Sequence, residues 1–378
     1  MDRYLDAAIR LHGHLLAKHW KGAALVGPDP GIRFNARVGR FIKSYLPILS
    51  WHDDLSYVQA QGYWIMDNWL LHDLTGDDQY RDLALDASQG LLAAQNSEGY
   101  WPYPNPEWAG RIATVEGCFG ALGLLESYSR VAEPPLLDGA LAWNEYVEQV
   151  IGFRRQEDEA MLAVNYFAHL GGAEGGVPNN STLMLWFLAR LFEVTRDEGY
   201  LGLAAPMARW LEHVQVDSGE LPYRVGSRTA EGQLHFLCHQ YNAFEFMDLA
   251  SYQRITGDDS VIPMMERLAE YLSTGITKRG YARHDCNNER IEVVYYTAAV
   301  AQALSQATRL GFGDHSELVE RAYARVLKLQ RPDGGFRFHS RANYRVLSDR
   351  RSYPRYLSMI LHHFLLEHRA ETLRGQDR

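Results

Sequence analysis

The chain reads as an all-α protein, a closed ring of six helix pairs with one helix of each pair inside and the other outside. Three observations carry this. A phrase of the form Leu, three residues, Gln, three residues, Gly, one residue, bulky apolar occurs at Leu91, Gln95, Gly99 and Trp101 and returns at Leu211, Gln215, Gly219 and Leu221. It returns again at Val326, Gln330, Gly334 and Phe336, a recurrence every ~115 residues that marks an internal repeat. Two kinds of helix-period segment then alternate along the whole chain, and members of the less charged kind begin about 60 residues apart, the spacing of one helix pair plus one long loop.

The amphipathic kind, with a charged face, comprises Asp2 to Trp20, Tyr80 to Gln95, Leu136 to Phe153, Tyr200 to Val214, Ser260 to Gly275 and Ser316 to Gln330. Such segments belong on the outside. The other kind is nearly uncharged and rich in small residues: Tyr57 to Leu74, Thr114 to Arg130, Ser181 to Val194, Ala243 to Ile255, Tyr295 to Leu310 and Pro354 to Glu367. A helix apolar on most sides is buried on most sides, so these form the inner circle. The first outer segment has no inner partner before it, and it is expected to lie against the last inner one. Closure in this way removes the need for capping repeats.

At 378 residues the length alone suggests more than one domain, but the repeat favours a single domain over residues 1–378. No Ser- or Pro-rich linker divides the chain, and Glu133-Pro134-Pro135 is a short helix connection. The opening Met1-Asp2-Arg3-Tyr4-Leu5-Asp6 is charged and leads into an amphipathic helix, which fits neither a signal peptide nor a membrane span. Cys118, Cys238 and Cys286 show no paired spacing, in keeping with a reducing compartment. The expected location is the cytoplasm. A net charge of −9 argues against nucleic acid as a partner; oligomeric state is not legible.

Connections from inner to outer segments are short, as at Thr75-Gly76-Asp77-Asp78, Thr195-Arg196-Asp197-Glu198 and Thr256-Gly257-Asp258-Asp259. Connections from outer to inner are long, and long ordered loops usually carry function. The working rim is therefore expected where inner helices start, where free N–H groups and helix dipoles favour negative charge.

In chain order, Trp51-His52-Asp53-Asp54 enters the first inner helix, followed by Tyr57. One aspartate can cap; the other can be a general acid or base, because neighbouring like charges raise one pKa. Trp101 and Tyr103 offer rigid aromatic faces for stacking on a sugar or for plugging the space between repeats, and Arg111 follows. Glu116 opens an uncharged helix and is either a cap or a catalytic carboxylate. Asn179 and Asn180 precede Ser181, more cap-type residues than one helix start requires. His239, Gln240, Tyr241 and Asn242 form a polar run at the fourth inner start, with Glu245 further in. Tyr295 and Tyr296 open the fifth inner segment, and Arg355 opens the sixth. His284-Asp285-Cys286 lacks the two-residue spacing of metal ligands, and adjacent residues point different ways, so no metal and no other cofactor is expected.

The six-unit ring resembles the (α/α)6 toroids. That superfamily includes six-hairpin glycosidases, several polysaccharide lyases and sugar epimerases, and more distantly the terpenoid cyclases and protein prenyltransferases. Gln95–Trp101 and Gln330–Phe336 look like the structural repeat motif of squalene-type cyclases, and Gln330-Arg331-Pro332-Asp333-Gly334-Gly335 also resembles a phrase frequent in sugar-acting toroids. The Asp-Xaa-Asp-Asp acid of squalene-type cyclases is missing, with only His52-Asp53-Asp54 in its style. The polar residues at the inner starts suit a substrate with many hydroxyls, neutral or anionic. The leading expectation is a carbohydrate-active enzyme. Hydrolysis would use Asp53 or Asp54 with Glu116. Elimination or C5-epimerisation of a uronic acid would use His239 with Tyr295 or Tyr296, the amides and arginines meeting the carboxylate. The alternatives are an isoprenoid cyclase with an unusual acid and a non-catalytic toroid that binds a glycan or protein.

Overall fold

Three of the short connections are self-contained hydrogen-bonded turns built from Thr, a left-handed residue and Asp. Thr75 Oγ1 donates to the Leu71 carbonyl at 2.7 Å and accepts the Asp77 N–H at 3.2 Å, and Asp77 then caps the next helix through the Gln79 N–H at 2.9 Å. Thr195 with Asp197 and Thr256 with Asp258 repeat this pattern. The residue between Thr and Asp has φ of 71° at Gly76, 63° at Arg196 and 69° at Gly257. These turns fold each pair of segments back on itself.

The computed structural model describes residues 2–29, 54–104, 110–155, 160–169, 175–227, 231–339 and 351–376. Among them are twelve α-helices. The outer ones are α1 (Arg3–Lys18), α3 (Asp78–Ala94), α5 (Pro134–Tyr146), α7 (Ala204–Val214), α9 (Ile262–Ser273) and α11 (Ser316–Leu329). The inner ones are α2 (Val58–Thr75), α4 (Thr114–Val131), α6 (Pro178–Thr195), α8 (Cys238–Thr256), α10 (Val294–Arg309) and α12 (Pro354–Gln376). Each inner helix packs on the next, from α2 through α4, α6, α8 and α10 to α12, and α12 returns to α2. The fold is an (α/α)6 toroid. No described helix is long and apolar enough to cross a membrane.

Burial follows the two patterns. Every residue from Val58 to Leu71 of α2 is buried, whereas α11 buries only Val319, Ala322, Tyr323 and Val326. That i, i+3, i+4, i+7 stripe is the single apolar face of an outer helix, and burying Val319 and Val326 contributes about 1.5–3 kcal/mol each. One cluster of buried apolar side chains runs through all twelve helices.

The repeated Gln and Gly serve the outer circle. Gln95 Nε2 donates to the carbonyls of Gly99 at 2.8 Å and Gly139 at 2.9 Å. Gln215 does the same to Gly219 and Met264, and Gln330 to Gly334 at 3.0 Å and Ala7 at 2.8 Å. In each case the second carbonyl belongs to the next outer helix. The glycines lie at φ of 91°, 89° and 82°, and a Cβ there would meet the carbonyl oxygens of Ala142, Arg267 and Arg10 at 2.4, 2.3 and 2.1 Å. Leu272, Ile276, Gly280 and Ala282 form a fourth copy without the glutamine, Gly280 lying against the Arg321 carbonyl.

The first outer helix lies against the last inner one, as expected. Tyr4 meets Phe364 at 6.4 Å between ring centroids, and His368 Nδ1 lies 2.6 Å from Asp2 Oδ2. Some boundaries differ from the sequence reading. The third outer segment stops being α-helical at Tyr146, passes through a π-helical turn at Val147–Ile151, and enters β1 (Phe153–Arg155), which pairs antiparallel with β2 (Leu162–Val164). Helices α6 and α8 start earlier than periodicity indicated, at Pro178 and Cys238. Polar residues at a helix start hide it from a hydrophobic pattern.

Replacing Gln330 by Ala is expected to lower stability by about 1–3 kcal/mol, because two main-chain carbonyls lose their donor. Gly334→Ala should cost more, since its Cβ meets backbone that cannot rotate away. Urea melts of the two variants check both; a Gln330→Ala midpoint equal to wild type would detach the glutamine from ring closure.

Candidate active site

All six inner helices start at one end of the toroid, and the long connections gather there. Isolated bridges stitch these connections: Gly27 with Leu55 within the first, and Ala113 with Phe167 and Val293 with His339 between neighbouring ones. Inside this rim lies a cavity of 220 Å³. Its polar lining comprises Arg355, Asp248, Gln59, Asn179, Gln240 and the tyrosines Tyr103, Tyr166, Tyr223, Tyr241, Tyr295 and Tyr356, with Val115, Phe119, Val177, Leu183, Phe244 and Met359 filling the remainder.

Arg355 is the charged centre. It sits at the second position of α12, and its side chain is 16% exposed. Its Nε donates to Gln59 Oε1 at 2.8 Å. The guanidinium lies over the Tyr57 ring at 4.6 Å and near that of Tyr356 at 5.7 Å. Two buried carboxylates flank it, Glu116 at 3.5 Å and Asp29 at 3.8 Å, both beyond ordinary hydrogen-bond length. Burial outside water drives the Glu116 pKa up, and Arg355 and the Gln59 amide oppose the rise.

Glu116 is a cap, but not of its own helix. Tyr57, the N-cap of α2, supplies no side-chain hydrogen bond, and Glu116 Oε2 reaches across from α4 to accept the Gln59 N–H at 2.9 Å. One carboxylate thus satisfies a neighbouring helix start and holds the arginine.

Asp248 lies two turns into α8. Burial raises its pKa well above the usual aspartate value, opposed only by a hydrogen bond from Thr182 Oγ1 at 3.1 Å. Burial thus favours the neutral form of the carboxyl it turns to the cavity. Burial also raises the phenols of Tyr103, Tyr241, Tyr295 and Tyr356, so these act as uncharged hydrogen-bond donors.

Of the residues picked out from sequence, Tyr103, Asn179, Gln240, Tyr295 and Arg355 line this cavity, and Tyr57 and Glu116 stand against Arg355. The others go elsewhere. His239 is buried between α8 and α9, stacked on Tyr271 with ring centroids 4.8 Å apart and Nε2 3.2 Å from Thr274 Oγ1. Burial lowers its pKa to about 4, so it is no acid or base of the cavity. Trp101 is buried, donating to the Leu91 carbonyl at 2.9 Å beside Trp143, and fills the space between outer helices. Asn242 pins the chain at Leu221 by two backbone hydrogen bonds. Arg111 is exposed and lies over Phe167 at 5.1 Å. Tyr296 faces His284, and Asn180 is buried in α6, neither on the cavity surface. Asp54 is exposed, and Trp51, His52 and Asp53 lie outside the described residues.

The sequence reading placed Tyr241 in the polar run at the start of α8 but missed Asp248, Tyr166, Tyr223 and Tyr356 as site residues. A signal for Asp248 existed: Tyr241, Phe244 and Asp248 recur at helical spacing, one face of a helix otherwise poor in charge.

A larger cavity of 580 Å³ opens at the other end, around the inner-helix C-termini. Its arginines serve the scaffold. Arg130 holds Asp73 and Glu126 at 2.9 and 2.8 Å, Arg190 reaches Glu126 at 3.2 Å, and all sit where helix dipoles favour cations. Asp248 and Phe244 line both cavities and stand between them. A further cluster sits beside the mouth, where Cys238, His239 and Cys286 bring potential metal-ligating atoms within 4.8 Å of one another.

No family model matches the chain, and no curated protein does. Solved structures do. A cellobiose 2-epimerase from Bacillus thermoamylovorans superposes with a TM-score of 0.74 at 15% identity, covering 96% of this chain and 98% of that one. An α-mannanase of glycoside hydrolase family 76 from Bacteroides thetaiotaomicron gives 0.69 at 11% identity over 99% and 98%. A family 88 glycosyl hydrolase from Bacteroides vulgatus gives 0.64 at 12% over 97% and 98%. The fold is that of the (α/α)6-toroid superfamily, and these neighbours are carbohydrate-active enzymes that share its architecture.

Arg355→Met should destabilise the protein by about 3–5 kcal/mol, because buried Glu116 loses the guanidinium 3.5 Å from it. Adding Glu116→Gln should recover part of the loss, a coupling of about 0.5–3 kcal/mol in a double-mutant cycle of denaturant melts. Additive losses would mean the ion pair is not what holds this corner.

Proposed function

We propose that the chain is a carbohydrate-active enzyme whose mouth takes a uronate-bearing sugar and transfers protons at its ring, by elimination or C5-epimerisation. The observation that carries this reading is the placing of one buried cation, Arg355, and one buried carboxyl, Asp248, on a cavity whose other polar lining is phenols and amides; burial raises the Asp248 pKa and so favours its protonated form. Arginine meets a carboxylate in a planar two-point contact. Neutralising that carboxylate acidifies the adjacent ring C–H, and preorganised donors around it stabilise the enolate-like charge that forms.

Tyr295, as its phenolate, would take the C5 proton, and Asp248 would give one to the leaving oxygen or to the opposite ring face. Burial and the neighbouring phenols Tyr296, Tyr356 and Tyr241 hold the Tyr295 pKa well above its ordinary value, and Arg355 opposes that rise. Glycoside hydrolysis in its common form requires two facing carboxyls, and among the described lining residues Asp248 is the sole carboxyl. Glu116 is committed to Arg355 and the α2 start. The polar lining also speaks against an isoprenoid cyclase, whose carbocations require an apolar chamber. The volume of 220 Å³ lies below the ~300–1,000 Å³ of pockets for larger ligands, which suits a chain end or a short oligosaccharide. The carbohydrate-active neighbours support the substrate class by likeness of fold alone.

The test is incubation with uronate and with neutral oligosaccharides, following ultraviolet absorbance of unsaturated products, reducing ends, and deuterium uptake at C5 in heavy water. Unsaturated product or C5 exchange on uronates alone is expected. Reducing ends from neutral substrates without unsaturation would make the enzyme a hydrolase instead, and no turnover by folded protein would make it a binding toroid. Asp248→Asn should lower kcat about 10²–10⁴-fold. Because Asp248 acts protonated and burial raises its pKa, activity should hold at low pH and fall as pH rises through that raised value. A pH profile checks the alkaline limb, which Asp248→Asn should abolish.

A further inference from the structure

Cys286 stands where two groups of donor atoms overlap. One of its neighbourhoods contains Cys238 and His239, and the other contains His235 and Glu220, the ligating atoms of each group lying within 4.8 Å of one another. Five donors from three stretches of chain thus converge on one sulfur. Cys238 and His239 open α8, His235 precedes it, Glu220 follows α7, and Cys286 sits in the tight turn bridged from Asp285 to Asn288.

The arrangement is built. His235 and Leu237 have φ of 60° and 47°, a conformation that costs non-glycine residues about 1–3 kcal/mol each and persists where surroundings impose it. Glu220, fully buried, accepts both the His235 N–H at 2.8 Å and the ring Nδ1–H at 2.7 Å. His239 Nδ1 lies 3.7 Å from Cys238 Sγ while its Nε2 is engaged by Thr274 Oγ1 at 3.2 Å. An imidazole whose far nitrogen is held by a hydrogen bond is the usual state of a metal ligand.

We propose that Cys238, Cys286, His235 and His239 form a binding site for Zn²⁺ or a similar thiophilic divalent ion, with Glu220 orienting His235. Two thiolates and two imidazoles are the donor set of tetrahedral structural zinc, and hard ions such as Mg²⁺ would not choose it. Zn–S bonds of ~2.3 Å and Zn–N bonds of ~2.0–2.1 Å put tetrahedral ligands roughly 3.3–3.8 Å apart. Cys238, His239 and Cys286 already lie within 4.8 Å of one another, and His235 lies within that distance of Cys286, so side-chain rotation, largest for His235, would close the set on an ion. Binding displaces the two thiol protons to solvent, leaving a neutral Zn(S)₂(N)₂ centre. A disulfide would join the same sulfurs but would leave the two imidazoles and the buried carboxylate without a task. The half-exposed Cys286 provides the way in. The ion would clamp the connection leading to α10 onto the start of α8, next to Gln240 and Tyr241 in the mouth, so it would stiffen that wall without touching substrate.

The experiment uses the full chain purified under reducing conditions from zinc-supplemented medium. Elemental analysis should find one zinc per chain. Cobalt exchanged into the protein should give thiolate-to-cobalt charge-transfer absorption with tetrahedral d–d bands. Cys286→Ser and Cys238→Ser should lose both signals, and Cys118→Ser, a buried thiol distant in sequence, should keep them. Glu220→Gln should weaken zinc affinity about 10–100-fold in competition with a chromophoric chelator. If the cysteine variants do not fold, zinc titration of chelator-stripped wild type decides. No uptake at micromolar zinc with thiols reduced overturns the site, as does a Cys238–Cys286 disulfide with no metal uptake after reduction.

Discussion

Closure of the ring is the constraint on which every other feature depends. An inner helix such as α2 buries residues all round, which is possible only when it has an inner neighbour on each side and an outer helix behind it. The last seam joins residues from opposite ends of the chain: Gln330 holds the Ala7 carbonyl at 2.8 Å, and His12 Nε2 lies 2.9 Å from Asn68 Oδ1. Were that seam open, α1 and α12 would expose the apolar faces that now meet at Tyr4 and Phe364. The repeated Gln and Gly apply the same closing device at alternate joints of the outer circle.

Closure also creates the chemistry. Six helices of the same direction around one axis bring six N-termini together, and no single repeat could complete a site from its own residues. The Arg355 corner takes its parts from three separate regions: the arginine from α12, Glu116 from α4, and Gln59 and Tyr57 from the start of α2. The balance there is electrostatic. A cation that is 16% exposed with two carboxylates at 3.5 and 3.8 Å keeps donor capacity for a ligand, where tight bidentate pairing would have consumed it. Asp248, with no cation paired to it among the described residues, has its pKa raised by burial in the same cavity, opposed by the Thr182 hydrogen bond. Two acidic side chains of similar burial thus play opposite parts, set by what stands beside them.

The axis of the toroid carries other polar groups, and these sort by the same rule. Asp67 is fully buried with a pKa raised to about 6 by desolvation, and His362 Nδ1 lies 2.8 Å from it. At the far end, Arg130 and Arg190 pair with acids of their own or an adjacent inner helix. A group whose partner is a near neighbour in the scaffold is most simply read as structural. Arg355 differs in that its remaining surface faces the mouth cavity.

Much of this molecule was legible in its residue order. The alternation of charged-face and uncharged segments, the recurring Gln and Gly, and the Thr-Asp turns all report local physics. A helical period needs only a one-sided environment, and a Thr-Asp turn satisfies its own hydrogen bonds. From these followed the twelve helices, their inner and outer assignment, and the end at which long connections gather. What sequence could not decide was where each polar side chain points. His239 and Gln240 are consecutive, yet one turns outward onto Tyr271 and the other into the mouth, because a helix rotates about 100° per residue and the boundary of α8 had been placed too late. His284-Asp285-Cys286 looked like no metal site because ligand spacing along the chain was wrong, whereas folding sets Cys286 beside Cys238 and His235 from another repeat. Local periodicity determined the architecture; only closure of the ring determined the company each buried charge and thiol keeps, since those contacts join residues that no local pattern connects.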